Sequence, residues 1–188
     1  MTAIYRFVVT HDDGMAPCSQ DGVLSLVTCK PNIRLKADVG DWLIGYRRKK
    51  LGGLTFVGQV SKKMEIGDYQ EKFPDRRDAV YRRVGRRPNG REILEPLRDD
   101  YHETEKLRGR DIRGRYSLIF DRYWYWGCDG GIAPEFIADM AHYWIGHARK
   151  ATPTQVQRLT DWLTFPGGHL GEPCTPDVIK RQNCGGGC

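Results

Sequence analysis

The chain has 188 residues, of which 39% are hydrophobic and 29% are charged, and its formal net charge is +6. This length predicts a single domain with a proper core, and the composition excludes a disordered chain. No apolar run approaches the roughly 20 residues that a bilayer requires, and the N-terminus has no basic leader segment. These features predict a cytoplasmic protein that does not bind membranes and keeps its cysteines as thiols or ligands.

The chain begins with a predicted strand at residues 3–10, which are rich in aromatic and β-branched side chains. Residues 11–21 predict a loop, because Gly, Pro, Asp and Ser cluster there without periodicity. Asp12 and Asp13 lie on this loop, where their carboxylates could bind a metal or hold a polar ligand. For either residue alone, the pattern favours a turn in which the carboxylate caps a backbone amide.

Residues 22–46 combine a short apolar run, a polar corner at 28–31, a basic connector that contains Arg34, and a second strand that follows the turn signal at 39–41. Two strands joined through a corner in so short a span form a unit that can present polar groups from that corner. We therefore predict that the corner is the floor of a ligand site.

The middle of the chain shows weaker patterns. Residues 54–60 predict a strand that forms a hairpin with the strand before it, around a basic tip. Residues 75–83 are compatible with a short helix. Residues 84–115 hold many Gly, Pro, Arg and Asp residues and no apolar periodicity, which predicts a long, mobile, charged insertion.

The last third returns to clear signals. Residues 116–126 predict the strongest strand of the chain, apolar on both faces and therefore central. Pro134 opens a predicted helix. The final helix is predicted to start at Thr152, with Pro153 at its first position and Gln155 completing a capping box.

The C-terminal tail carries four residues of zinc-ligand type: His169, Cys174, Cys184 and Cys188. Their spacing matches no paired zinc pattern. No phosphate-cradling loop, dinucleotide fingerprint or nucleophile elbow occurs elsewhere. The sequence therefore predicts no bound metal and no cofactor.

Positive charge is concentrated in residues 76–91, which contain seven arginines and a single acid, Asp78. Guanidinium groups suit forked contacts with phosphate, so the segment predicts either a phosphate or nucleic-acid contact or a solvated basic face. His147 and Arg149 could donate to an anion or could form a basic helix terminus. The residues predicted to hold phosphate are Arg76, Arg77, Arg82, Arg83, His147 and Arg149.

Several aromatic residues lie in or near the predicted strands. Trp42, Tyr46 and Trp124 could stack on a base, or they could belong to the core, where strand aromatics are commonly found. Their concentration near the corner predicts that at least one of them lines a pocket.

Six segments, in this order, carry a family resemblance: HDDGMAPC, CKPNIR, VGDWLIG, FPDRRDAVYR, YSLIFDRYWYWG and IGHARK. They resemble the second family of the nucleotide-modification-associated domains, over roughly residues 4–165. That family is linked by genomic context to modified bases in phage and bacterial DNA. More remotely, the order of strand, polar loop, corner and "GDW" turn is similar to PUA-like domains of the EVE type.

The resemblance implies an α+β fold, a small mixed β-barrel of PUA-like type flanked by helices. It implies one domain over residues 1–168, with the charged insertion at about 84–115, and a Cys- and Gly-bearing tail at 169–188. The pocket would be lined by the loop after the first strand and by the corner, and a fold-level analogy alone does not define function.

Two functions follow as hypotheses. The first is recognition of a modified nucleotide or base in nucleic acid through the corner pocket, with the arginine-rich segment on phosphate, linked to DNA modification or phage–host conflict. The second is an enzyme, a hydrolase or transferase, that acts on a modified base or nucleotide. In that enzyme Thr28 beside Lys30 would act as a nucleophile or activate water, and an acid or a histidine within hydrogen-bond reach of Lys30 or Cys29 in a deep pocket would distinguish it. The predicted ligand-binding residues are Asp12, Asp13, Thr28, Cys29, Lys30, Arg34, Trp42, Tyr46 and Trp124.

A third hypothesis gives the protein an accessory role, in which the arginine-rich insertion docks an acidic partner.

Overall fold

A computed structural model describes residues 2–47, 53–141 and 146–175 of the chain. Its main sheet has the strand order β1-β4-β5-β10-β12, with β11 paired to β5. These strands are β1 (Ile4–Val9), β4 (Trp42–Arg47), β5 (Gly53–Gln59), β10 (Arg122–Tyr125), β11 (Gly131–Ile132) and β12 (Gly168–His169). β1 runs parallel to β4, and β4 forms the predicted antiparallel hairpin with β5.

A second sheet has the order β2-β3-β9-β6, and a third consists of β7 and β8 alone. The strands of the second sheet are β2 (Cys18–Gln20), β3 (Val23–Leu26), β6 (Lys62–Glu65) and β9 (Tyr116–Phe120). The third sheet is an antiparallel ribbon of β7 (Tyr81–Arg86) and β8 (Glu92–Pro96).

Five helices complete the described residues: α1 (Pro31–Lys36), α2 (Ile66–Lys72), α3 (Glu105–Arg113), α4 (Glu135–Ala138) and α5 (Pro153–Trp162). The capping box at the start of α5 is present as predicted, with the Thr152 hydroxyl accepting from the backbone of Gln155 and the Gln155 side chain accepting from the backbone of Thr152. No helix in the described part of the chain has the length and apolar character that crossing a bilayer requires.

Three apolar clusters hold these layers together. One lies between the main and second sheets and includes Phe7, Phe56 and Phe120. Another packs the opposite face of the main sheet against α4 and α5. A third packs the second sheet against α2, β7 and Tyr101. Burial of this apolar surface is the dominant stabilising contribution to the fold.

The segment predicted as one central strand is divided between two sheets. β9 ends at Phe120 and β10 begins at Arg122, with the exposed Asp121 between them. β9 pairs with β3 and β6, whereas β10 pairs with β5 and β12. Both β9 and β10 are apolar on both faces, because other elements pack against each side of each strand. The sequence pattern therefore shows that the residues are buried but does not show where one strand ends and the next begins.

The predictions for residues 75–115 were wrong in two respects. The possible helix at 75–83 is instead a turn that leads into β7, and the expected irregular insertion contains β7, β8 and α3. Alternation of apolar residues does not predict the ribbon of β7 and β8, because ion pairs between charged side chains stabilise it. Arg83 forms ion pairs with carboxylates of α2 and β8 at 2.6, 2.7 and 3.1 Å.

The architecture is α+β, as predicted. Pairing among the described strands closes no barrel, and the PUA-like barrel stays a prediction. The helix expected from Pro134 is the short α4. Residues 169–175, expected as tail, pair with β10 and hydrogen-bond to Cys128 and Asp12. The hairpin tip at 48–52, Trp144, Cys184 and Cys188 lie outside the described residues.

Candidate active site

The corner between β3 and α1 has an unusual backbone. Cys29 and Lys30 are consecutive residues with φ of 53° and 40°, in the left-handed region. Neither is glycine, so each costs roughly 1–2 kcal/mol of strain. Pro31 then starts α1 with its φ already suited to a helix. This sharp strand-to-helix turn holds Cys29 at a half-buried position on the edge of the fold.

The Cys29 thiol faces a histidine from the region that sequence patterns had predicted to be irregular. The Sγ atom of Cys29 lies 3.7 Å from Nε2 of His102, which sits in the segment between β8 and α3. Tyr101 stacks on the His102 ring with centroids 4.2 Å apart, and its hydroxyl is 2.8 Å from Oγ1 of the buried Thr28. The corner therefore holds the histidine segment in place.

Asp111 of α3 joins the thiol and the imidazole. Its carboxylate is buried, and Oδ1 accepts from the backbone N–H of Cys29 at 2.6 Å. Oδ2 lies 2.5 Å from Nδ1 of His102 and accepts from the Tyr81 hydroxyl at 3.0 Å. Burial raises the pKa of Tyr81, which keeps that hydroxyl protonated and donating.

This geometry assigns a role to each nitrogen of His102. With Nδ1–H donating to the carboxylate of Asp111, Nε2 carries the free lone pair and points to the Cys29 thiol. A nucleophile, a base and a group that orients the base then stand in order, as in catalytic triads. A histidine within reach of Cys29, which is one part of the feature expected to distinguish an enzyme, is therefore present.

Arg34 connects the two elements that carry the thiol and the carboxylate. Its side chain is buried and donates to the backbone carbonyls of Cys29 at 2.8 Å, Tyr116 at 2.8 Å and Asp111 at 2.6 Å. Burial lowers the pKa of Arg34, and the charge of Asp111 opposes that shift. Arg34 is a positioning residue within the fold and presents no free guanidinium to a ligand.

Cys29, His102 and Asp111 also form the group within the described residues whose ligand atoms could hold a metal ion, all within 4.8 Å of one another. The sequence predicted no metal. Asp111 already accepts three hydrogen bonds from protein donors, which leaves about one of the four lone-pair sites of its carboxylate for a metal. The donor set fits a triad better than a metal centre, and the metal content of the purified protein would test this directly.

Other residues of the predicted pocket are engaged by the protein. The ammonium of Lys30 donates to the carbonyl of Val8 at 3.1 Å and lies 5.2 Å from the centre of the Phe7 ring. Trp42, Tyr46 and Trp124 are buried in the cluster between the main sheet and α4 and α5, with exposures of 1%, 0% and 3%.

Asp12 and Asp13 make different contacts. Asp13 accepts from the backbone of Met15 at 2.9 Å, which is the capping turn predicted for such a residue. Asp12 is buried, accepts from the Tyr125 hydroxyl at 2.8 Å, and has a second oxygen without a hydrogen-bond partner among the described residues. Burial raises the pKa of Asp12 to about 6.

The residues predicted to hold phosphate are placed in three different ways. Arg76 is buried against Asp78, with Nε 3.4 Å from the carboxylate, and Arg83 is held by three carboxylates. Arg82 forms an exposed ion pair with Glu95 at 3.1 Å. The remaining three are spread over the surface: the Arg77 backbone bonds Gln20, the His147 ring contacts Tyr5, and Arg149 lines a cavity.

Two shallow cavities lie elsewhere on the surface. The larger, of about 390 Å³, is bordered by Arg122, Trp124 and His169, and the smaller, of about 360 Å³, by Tyr5 and Arg149. Neither contains Cys29. The deep pocket expected at an enzyme site is therefore not one of these two cavities, and they do not locate the Cys29 cluster.

His102 and Asp111 were missed by sequence analysis. They are 73 and 82 residues from Cys29, and they lie in a stretch predicted to have no regular structure. No spacing pattern links them to the corner. One signal in the sequence was available. Cys29 is not spaced as a metal ligand, and such a cysteine can be a nucleophile that pairs with a histidine distant in the sequence.

The fold and this cluster define an α+β protein that carries a Cys–His–Asp arrangement at a strand-to-helix corner. The chain belongs to the family described as nucleotide modification associated domain 2, whose model matches residues 1–180. The resemblance found in the sequence is thus confirmed, and the match includes residues 169–180 that were expected as tail. No curated protein and no solved structure matches the chain significantly.

Proposed function

We propose that this protein is a thiol-dependent enzyme that hydrolyses or transfers an acyl group on a modified base or nucleotide. The observation that carries the proposal is the Cys29–His102–Asp111 arrangement, with 3.7 Å from thiol to imidazole and 2.5 Å from imidazole to carboxylate. Membership in a family associated with nucleotide modification supports the choice of substrate class.

The residues would act in a defined sequence. His102 Nε2 takes the thiol proton, and the Cys29 sulfur attacks the acyl carbon of an amide or ester. The bond to the leaving nitrogen or oxygen breaks as His102 returns the proton to it, which leaves a thioester on Cys29. Water or an acceptor amine, deprotonated by His102, then attacks the thioester and releases the thiol.

Asp111 would hold His102 in the tautomer that this chemistry requires and would stabilise the imidazolium ion. The left-handed turn at Cys29 supports the proposal, because strained backbone at a nucleophile is a common device for exposing it. Arg34 would keep the corner and α3 in register by holding carbonyls from both.

Recognition of a modified nucleotide without catalysis is the second candidate, and membership in a family associated with nucleotide modification is compatible with it. In that case the corner would read the base, with the Tyr101–His102 stack near it. The engagement of Thr28, Lys30 and Arg34 by protein groups favours the enzyme instead.

Thiol reactivity tests the proposal without knowledge of the substrate. Alkylation by iodoacetamide, followed by mass spectrometry of each cysteine peptide, should modify Cys29 faster at neutral pH than a free thiol such as glutathione. His102→Ala should slow the reaction at Cys29 about tenfold or more, since the thiolate loses its imidazolium partner. The buried Cys18 serves as the internal control.

Substrate chemistry completes the test. DNA that carries amide- or ester-bearing bases is incubated with the protein, digested to nucleosides and examined by mass spectrometry. Loss of the acyl group with the native protein, and its retention with Cys29→Ala, is the expected result. A Cys29 that reacts no faster than glutathione, and equally fast in His102→Ala, would overturn the enzyme and leave recognition.

A further inference from the structure

The third sheet, β7 and β8, differs from the rest of the fold in its charges. The five-residue turn between its strands, 87–91, is ordered by bonds between Arg87 and Arg91 at 2.8 Å and between Gly90 and Arg87 at 2.8 Å. Both arginine side chains are exposed. Within the described residues, neither is within ion-pair distance of a carboxylate.

The other arginines of the ribbon are neutralised. Arg82 pairs with Glu95 at 3.1 Å and Arg86 pairs with Glu65 at 2.7 Å. Arg83 faces three acids. In the ribbon, the arginines that lie outside ion-pair distance of any described carboxylate are therefore the two in the turn.

The exposed face of the ribbon is also partly apolar. Val84 and Ile93 are 47% and 42% exposed on adjacent strands that pair only with each other among the described strands. α2 supports the opposite face, where the Gly67 backbone donates to Glu92 at 3.1 Å. A supported two-stranded ribbon with an apolar face and a basic turn has the dimensions of an element that enters the major groove of DNA.

The base of the ribbon reaches the candidate active site. Tyr81, the first residue of β7, donates to Asp111, and the chain that leaves β8 continues to His102. Six residues of extended strand separate Tyr81 from the turn by about 20 Å. Along duplex DNA this distance spans about six base pairs. A polynucleotide can therefore extend from Tyr81 to Arg87 or Arg91, whereas one nucleotide step of about 3.4 Å does not cover that length of strand.

We infer that the β7–β8 ribbon binds the phosphodiester backbone of a polynucleotide through Arg87 and Arg91, and that the substrate of the Cys29 site is a nucleotide within a DNA chain. This inference rests on the proposed function for the identity of the reacting group. It assigns phosphate binding to two residues outside the set predicted from the sequence.

Binding of a fluorescently labelled DNA duplex of about 20 base pairs tests the inference. Arg87→Glu/Arg91→Glu should weaken binding about tenfold or more and reduce the salt slope of log K by about two, one for each lost phosphate contact. The matched control is Lys62→Glu/Arg158→Glu, which changes the net charge equally at exposed positions outside the ribbon. The control should keep the salt slope and lose less than about threefold in affinity.

Two results would overturn the inference: unchanged DNA binding in Arg87→Glu/Arg91→Glu, or an equal loss in the control variant. The rate of Cys29 alkylation in the same variants distinguishes failure of the ribbon inference from failure of the proposed enzymatic function. An activated thiol in a protein that does not bind DNA contradicts the ribbon inference and indicates a free nucleotide as substrate. DNA binding through the ribbon with an unreactive Cys29 contradicts the enzyme alone.

Discussion

Arg34 and Gly114 are in such close contact that no larger residue fits at position 114. A β-carbon added to Gly114 would lie 2.5 Å from the guanidinium carbon of Arg34. The backbone of Gly114 has an ordinary helical φ of −67°, so the glycine is required by the packing of Arg34 and not by its own conformation. Because Arg34 holds the carbonyls of Cys29 and Asp111, this contact sets the spacing of the candidate triad.

Gly114→Ala should therefore displace Arg34 and destabilise the protein by roughly 1–3 kcal/mol, since buried carbonyls lose their donor. Alkylation of Cys29 should slow in the same variant. The control is Gly109→Ala in α3, where nothing lies within 4 Å of the added carbon. The control should gain roughly 0.5–1 kcal/mol from helix propensity, as measured by urea unfolding. Equal effects at the two glycines would contradict the role of Arg34.

Tyr81→Phe should shift the pH dependence of Cys29 alkylation. Removal of the hydroxyl leaves Asp111 with one donor fewer, so its carboxylate stabilises the imidazolium of His102 more strongly. The thiolate should then form at lower pH, and the midpoint of the alkylation profile should fall by up to about one pH unit. Tyr101→Phe, which loses a hydroxyl that contacts Thr28, is the control and should leave the midpoint in place. A midpoint that rises in Tyr81→Phe would contradict the assigned tautomer.

Arg76→Leu should reduce stability strongly and leave DNA affinity unchanged. Arg76 lies 3.4 Å from Asp78, and the side chains are 5% and 0% exposed. Removal of the cation leaves a buried carboxylate without its partner, at a cost of roughly 3–5 kcal/mol. Burial raises the pKa of Asp78, so part of this cost will be relieved by protonation of its carboxyl group. Arg82→Leu breaks only an exposed pair and should cost less than about 1 kcal/mol.

Asp12→Asn should change how stability depends on pH. Burial raises the pKa of Asp12 to about 6 from its ordinary value of 3.8. Between these values the folded state binds the proton more tightly than the unfolded state, so the carboxyl contributes less stability as pH rises through this window. The asparagine keeps an acceptor for Tyr125 and carries no charge. From pH 4 to pH 7, the variant should gain roughly 2 kcal/mol relative to the native protein.

Urea unfolding at both pH values measures this change, and Asp75→Asn, at an exposed position, is the control. If the free energies of unfolding of Asp12→Asn and the native protein differ by the same amount at pH 4 and pH 7, the pKa of Asp12 is not raised in the folded state and the prediction is wrong.

Local signals in the sequence were sufficient for several elements. β1, β3, β4 and β5 follow from runs of aliphatic and β-branched residues, and α5 follows from the capping box at Thr152. The capping box of α5 joins residues that are close in the chain. The strands are buried deeply enough that each requires a run of apolar residues.

The site depended on contacts that such signals do not contain. The corner at Cys29 was identified, but its partners come from the segment that follows an ion-paired ribbon and from a helix with a single buried residue, Asp111. For Arg34, in contrast, the sequence suggested a role in ligand binding that the structure assigns to packing within the fold. A basic residue beside a predicted pocket suggested a ligand contact, whereas the fold buries its guanidinium among backbone carbonyls.

The continuous run of residues 116–125 contributes β9 to one sheet and β10 to the other, with only Asp121 between them. Because one residue joins β9 to β10, unfolding of β9 in the second sheet would displace β10 in the main sheet, and the reverse. The two sheets should therefore open as one cooperative unit, and the amide protons of Leu118 and Trp124 should exchange with solvent at a common free energy. A protein built in this way has no independently folding half.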